Sequence, residues 1–104
     1  YDENIYQVDF LDKFSNLSDL KLVSIKINHL INENKSIFSQ MVNLNSLELK
    51  SIKEIVRIGS NVFDGLIKLE KLNIDSNEID KIEENAFKNL ANLKSLYLNF
   101  NNIK

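Results

Sequence analysis

The chain has no cysteine, no proline and no tryptophan, only two glycines and a single histidine. Each shortage removes a class of chemistry. Without cysteine there is no disulfide framework, no thiolate zinc site and no thiol nucleophile. Gly59 and Gly65 alone cannot build a loop that cradles phosphate. His29, the one histidine, has no paired base or acid in sequence, so it reads as a tolerated turn residue. Glu83 and Glu84 stand side by side and read as a solvated loop face, not a carboxylate pair. No catalytic residues, no metal ligands and no cofactor are therefore expected. The net charge of −2 provides no long-range attraction to nucleic acid or anionic membrane. No apolar run approaches the roughly 18 residues that a bilayer span needs, so no membrane insertion is expected within this segment. Tyr1-Asp2-Glu3-Asn4 has neither the basic end nor the apolar core of a signal peptide.

What the chain does have is a period. Phe14, Phe38, Phe63 and Phe87 stand 24, 25 and 24 residues apart. Apolar residues follow each at the third and sixth positions: Leu17 and Leu20, Met41 and Leu44, Leu66 and Leu69, Leu90 and Leu93. Asn4, Asn28, Asn77 and Asn101 form a second ladder in the same phase. Two ladders at one period mark stacked copies of one unit.

The unit is clearest in Leu93-x-x-Leu96-x-Leu98-x-x-Asn101-x-Ile103 and in Leu69-x-x-Leu72-x-Ile74-x-x-Asn77-x-Ile79. The same frame gives Leu20-x-x-Val23-x-Ile25-x-x-Asn28-x-Leu30. Leu44-x-x-Leu47-x-Leu49 then departs, with Ile52 or Lys53 in place of Asn and one extra residue before Ile55. That insertion either kinks the chain near Ile52 to Ile55 or is absorbed in a loop. The alternating core of each unit predicts a strand with branched side chains turned inward. Successive strands stack as a parallel sheet, and the turn Asn, both donor and acceptor, satisfies backbone groups beneath it. The Phe and its leucines fill the opposite wall. No unit buries its apolar side alone, so stability comes from stacking.

These motifs, with Asn61-Val62-Phe63-Asp64-Gly65-Leu66 and Ile82-Glu83-Glu84-Asn85-Ala86-Phe87-Lys88-Asn89-Leu90, resemble the leucine-rich repeat family in its 24-residue type. That type is common in Toll-like receptor ectodomains, adhesion receptors and secreted insect immune proteins. The resemblance implies an α/β solenoid, a horseshoe with a parallel sheet on the concave face. Short helices or irregular segments would line the convex face. The expected division of 1–104 is a partial unit 1–19, units 20–43, 44–68 and 69–92, and a partial unit 93–104. Neither end resembles a repeat cap, so the segment is expected to belong to a longer array.

The resemblance also implies a non-catalytic recognition module that binds mainly on its concave face. Strand positions between core residues place three columns there: Leu22, Ser46, Lys71, Ser95; then Ser24, Glu48, Asn73, Tyr97; then Lys26, Lys50, Asp75, Asn99. Ile27, Ser51, Ser76 and Phe100 flank the turn. Tyr97 and Phe100 are the leading anchors, since aromatics dominate interface energetics. Phe100 fits a half-buried structural turn position equally well. Two N-glycosylation triplets, Asn16-Leu17-Ser18 and Asn34-Lys35-Ser36, fall outside the strands. Asn34 is the better candidate, because Glu33 there replaces the apolar residue found at Ile58 and Ile82. Abundant Asn and Ser, however, produce such triplets by composition alone. The expected partner is a protein, with oligomerisation left open. Two settings stay open, an extracellular or secreted receptor or innate-immune protein, and an intracellular scaffold or regulatory subunit.

Overall fold

The computed structural model describes residues 16–103, so the expected ladder members Asn4 and Phe14 lie outside the described residues. Four strands form one parallel sheet in the order β1 (Asp19–Val23), β2 (Ser46–Lys50), β4 (Lys71–Asn73) and β6 (Ser95–Tyr97). Each turn of chain leaves the sheet, crosses the opposite wall and returns one strand further on. On that wall β3 (Arg57–Ile58) pairs in parallel with β5 (Lys81–Ile82). The result is a parallel-strand solenoid, as expected, with paired strands on the far wall where short helices or irregular segments were expected. A short helix, α1 (Asn28–Asn32), takes the place of a wall strand in the first described turn.

The register follows from which side chains face inward. Leu20 lies opposite Leu47, Leu47 opposite Leu72, and Leu72 opposite Leu96. Those turns take 27, 25 and 24 residues. The first unit is thus Leu17-x-x-Leu20-x-Leu22-x-x-Ile25-x-Ile27, three residues ahead of the frame the Phe spacing predicts. Burial gives the reason. The observed frame encloses Leu22 and Ile27, at 7% and 0% exposure, and leaves Val23 at 49%. The expected frame would have put Leu22 in water and Asn28 under the sheet. Asn28 instead opens α1, and His29 lies within that helix, not in a turn. The longer return of this unit is where the extra residues go.

The insertion before Ile55 is absorbed in the loop. Ile52 takes the Asn position, following Leu47 as Asn77 follows Leu72, and its own N–H donates to the Asn77 carboxamide of the next unit. Glu54 adopts a left-handed φ of 67°, and the Glu78 carboxylate accepts its N–H at 3.0 Å. Past the insertion the stack stays continuous, with Ser51 N–H donating to Ser76 O at 3.2 Å.

Leu47, Leu49, Leu72 and Ile74 project from the sheet into a core closed on the far side by Phe38, Phe63, Met41 and Leu66, all essentially inaccessible. Each such side chain stabilises the fold by roughly 1.5–3 kcal/mol through burial. The Phe rings stack along the solenoid axis, Phe38 on Phe63 at 6.3 Å and Phe63 on Phe87 at 6.0 Å between centroids. The Asn ladder works where it is present. Asn77 Nδ2 donates to Leu49 O and Ile74 O, and Asn101 Nδ2 donates to Ile74 O and Leu98 O. Both carboxamides therefore tie their own turn to the preceding one.

Candidate interaction face

The outward positions of the main sheet make an open face of regular rows. The first is Asp19, Ser46, Lys71, Ser95, and the second is Lys21, Glu48, Asn73, Tyr97. The same two-residue step continues them as Val23, Lys50, Asp75 and Asn99, with Val23 opposite Lys50. Nine of the sequence-predicted residues lie as expected in these rows: Ser46, Glu48, Lys50, Lys71, Asn73, Asp75, Ser95, Tyr97 and Asn99. Three first-unit assignments are corrected by the register. Leu22 is buried, while Ser24 and Lys26 lie beyond the end of β1. Asp19, Lys21 and Val23 stand in their place. Comparing the two apolar frames of that unit would have found them, because only one frame encloses both Leu20 and Leu22.

A separate row runs along the rim where each strand ends. Ser24, Ser51, Ser76 and Phe100 all adopt left-handed φ, at 57°, 55°, 61° and 61°. Ser24 thus belongs to this row, displacing Ile27, which is fully buried. Phe100 is 82% exposed in this last described turn.

The charges on the face are mostly consumed locally. Lys21 Nζ lies 3.9 Å from Glu48, and Lys94 Nζ lies 3.8 Å from Glu70. Asp75 accepts the Asn99 N–H at 2.6 Å, and Asn73 Oδ1 accepts the Asp75 N–H at 2.9 Å. Lys71 holds its ammonium 5.6 Å from the centre of the Tyr97 ring. Such exposed ion pairs contribute only about 0–1 kcal/mol each. They do fix side-chain directions across neighbouring strands. Among the described residues, no group of three or more His, Cys, Asp or Glu is placed to hold a metal ion. No helix among them is long and apolar enough to cross a membrane.

The two glycosylation triplets differ in surroundings. Asn16 is exposed in a turn. Asn34 has a left-handed φ of 63°, and its Oδ1 accepts the Asn61 N–H at 2.7 Å. Ser36 Oγ donates to Asn61 O at 2.9 Å. Both functional side chains of that triplet thus grip the backbone of one residue of the next turn, Asn61. Gly59 makes the room, since a Cβ there would stand 2.3 Å from Asn34 Oδ1. The inter-turn contact uses Oδ1 of Asn34, whereas a glycan would be attached at Nδ2.

A family profile described as leucine rich repeat matches residues 43–103, the part of the chain where the turns have settled to their regular length. With the parallel solenoid, the inward Leu-x-Leu strands and the Asn77 and Asn101 turns, the chain belongs to the leucine-rich repeat family.

Proposed function

We propose that the chain is a non-catalytic protein-recognition module that engages its ligand on the concave sheet face, in an extracellular or secreted receptor or innate-immune protein. The observation that carries this reading is the open four-strand face itself. Its rows of Lys, Glu, Asp, Asn and Tyr take no part in closing the core. Long repeats of this kind are interaction domains, and a flat, regularly spaced set of solvent-facing side chains suits protein recognition better than enclosure of a small molecule. The test replaces Glu48, Lys71 and Tyr97 together by Ala. Binding of a protein partner weakens while the circular dichroism is unchanged. Unchanged affinity would place the ligand elsewhere.

An intracellular scaffold is the second reading, and one observation favours it. The Asn34 triplet has a structural use in its grip on Asn61, so its presence does not require a glycan. Glycosidase treatment of the protein purified from its native source, read by intact mass, separates the readings. A mass loss at Asn16 or Asn34 in the native protein supports the extracellular setting, and its absence supports the scaffold.

A further inference from the structure

We infer that Asn34 accepts an N-linked glycan only until the next turn docks on it, so that folding of the segment around Gly59 and Asn61 closes the site. Use of the site in a cell rests on the secreted reading above, whereas the closure itself does not.

Glycan transfer to the triplet needs two groups at once, the Asn34 carboxamide and the Ser36 hydroxyl. In the folded chain a single residue holds both. The Asn61 N–H donates to Asn34 Oδ1 at 2.7 Å, and Ser36 Oγ donates to Asn61 O at 2.9 Å. The triplet's own backbone is tied down as well. The Asn34 N–H donates to Ile31 O and the Lys35 N–H to Leu30 O, each at 3.0 Å. Ile31 on one side, with Ile37 and Phe38 on the other, is buried in the core. A transferase that must seat the carboxamide and the hydroxyl together can therefore reach them only by opening the contact between two turns.

Modification and closure use different atoms. The Asn34 atoms nearest to Gly59 are Oδ1, Cγ and Cβ, so Nδ2 is the carboxamide atom turned away from it. In the transfer, Nδ2 bonds to the anomeric carbon of a lipid-pyrophosphate-linked sugar and releases one proton. The sugar–pyrophosphate C–O bond breaks, and the pyrophosphate leaves with its electron pair. Oδ1 stays an acceptor, so a glycan added first leaves the Asn61 bond available. Order decides the outcome. Asn34 precedes Asn61 by 27 residues, which gives the nascent chain an interval in which the triplet is open.

The test uses the unglycosylated, folded chain carrying Asn16→Gln, so that only Asn34 can accept. It is incubated with a purified oligosaccharyltransferase and its lipid-linked donor, and intact mass gives the rate. A peptide of residues 30–40 presents the same triplet without the next turn. The peptide should be modified at least about tenfold faster than the folded chain, since two inter-turn hydrogen bonds must open first. Enzyme present during cell-free synthesis should give higher occupancy than enzyme added after folding. Gly59→Ala, whose Cβ would overlap the Asn34 carboxamide, should speed modification of a chain that circular dichroism shows to be folded. Equal rates for peptide and folded chain, equal occupancy for early and late enzyme, or a folded Gly59→Ala no faster than the parent would overturn the closure. A peptide that is not modified would remove the acceptor itself. If Gly59→Ala fails to fold, the early and late additions still decide. The secreted reading stands or falls separately, on a glycan in the protein from its native source.

Discussion

The carboxamide of Asn77 accepts the Ile52 N–H at 2.9 Å and returns a hydrogen bond to Leu49 O at 2.9 Å, closing a ring across two consecutive turns. Asn77 is only 6% exposed, and the groups it serves are buried with it. Asn77→Ala should therefore leave a donor and several acceptors without partners. Each such buried group costs about 1–3 kcal/mol, a large share of the total stability of a domain this size. Urea denaturation should show a marked fall in midpoint for Asn77→Ala and a smaller one for Asn101→Ala, whose bonds are partly exposed. Equal effects would mean that the ladder stabilises by propensity alone and not by burial.

Phe63 is the middle ring of the three-ring stack and has neighbours on both faces. Phe63→Ala should cost about 3–5 kcal/mol, since a wall residue is lost and a cavity opens between two turns. Phe87→Ala should cost less, because that ring is only partly buried. Phe63→Leu should recover much of the loss. Thermal unfolding of the three variants checks the order, and a greater loss in Phe87→Ala would contradict the stacked-wall account.

Both glycines are placed by what lies opposite them, but the obstacles differ. A Cβ at Gly65 would stand 2.6 Å from the Ser39 backbone, and its φ of 93° already disfavours any side chain. The three atoms nearest to a Cβ at Gly59 all belong to the Asn34 side chain. Gly65→Ala should thus be the more damaging, because backbone cannot step aside. Gly59→Ala should be non-additive with Asn34→Gly, which removes the obstacle and suits the left-handed turn. Equilibrium unfolding of the two singles and the double measures this coupling, and simple additivity would rule out the proposed contact.

The sequence made some parts of this molecule plain and hid others for physical reasons. From Leu44 onward, the Phe-to-strand distance is constant and the inward Leu positions have no competing frame. Between Leu17 and Leu30 two overlapping apolar frames coexist, and the 27-residue turn breaks the period that would have chosen between them. The choice depends on which residues are enclosed by β2, a tertiary fact. The pairing of β3 with β5 was hidden because two-residue strands carry almost no pattern, only Ile58 and Ile82 in matching phase. On the open face, rows from β2 onward followed directly from alternation. The left-handed rim row that isolates Phe100 did not, since Ser and Phe share no sequence signal for that backbone.

The register of β1 can be tested by one charge placed at two adjacent positions. Leu22 is buried beside Leu49, whereas Val23 is 49% exposed opposite Lys50 on the open face. Leu22→Glu forces a carboxylate into an apolar core with no partner and should unfold the first turn or cost several kcal/mol, on the order of 3–5. Val23→Glu leaves the core intact and places the charge next to Lys50, so its effect should stay within about 0.5 kcal/mol, favourable at low salt. The frame predicted from the Phe spacing gives the opposite order, because it buries Val23 and exposes Leu22. Urea midpoints of the two variants decide between the frames, and the adjacent positions keep sequence context nearly constant.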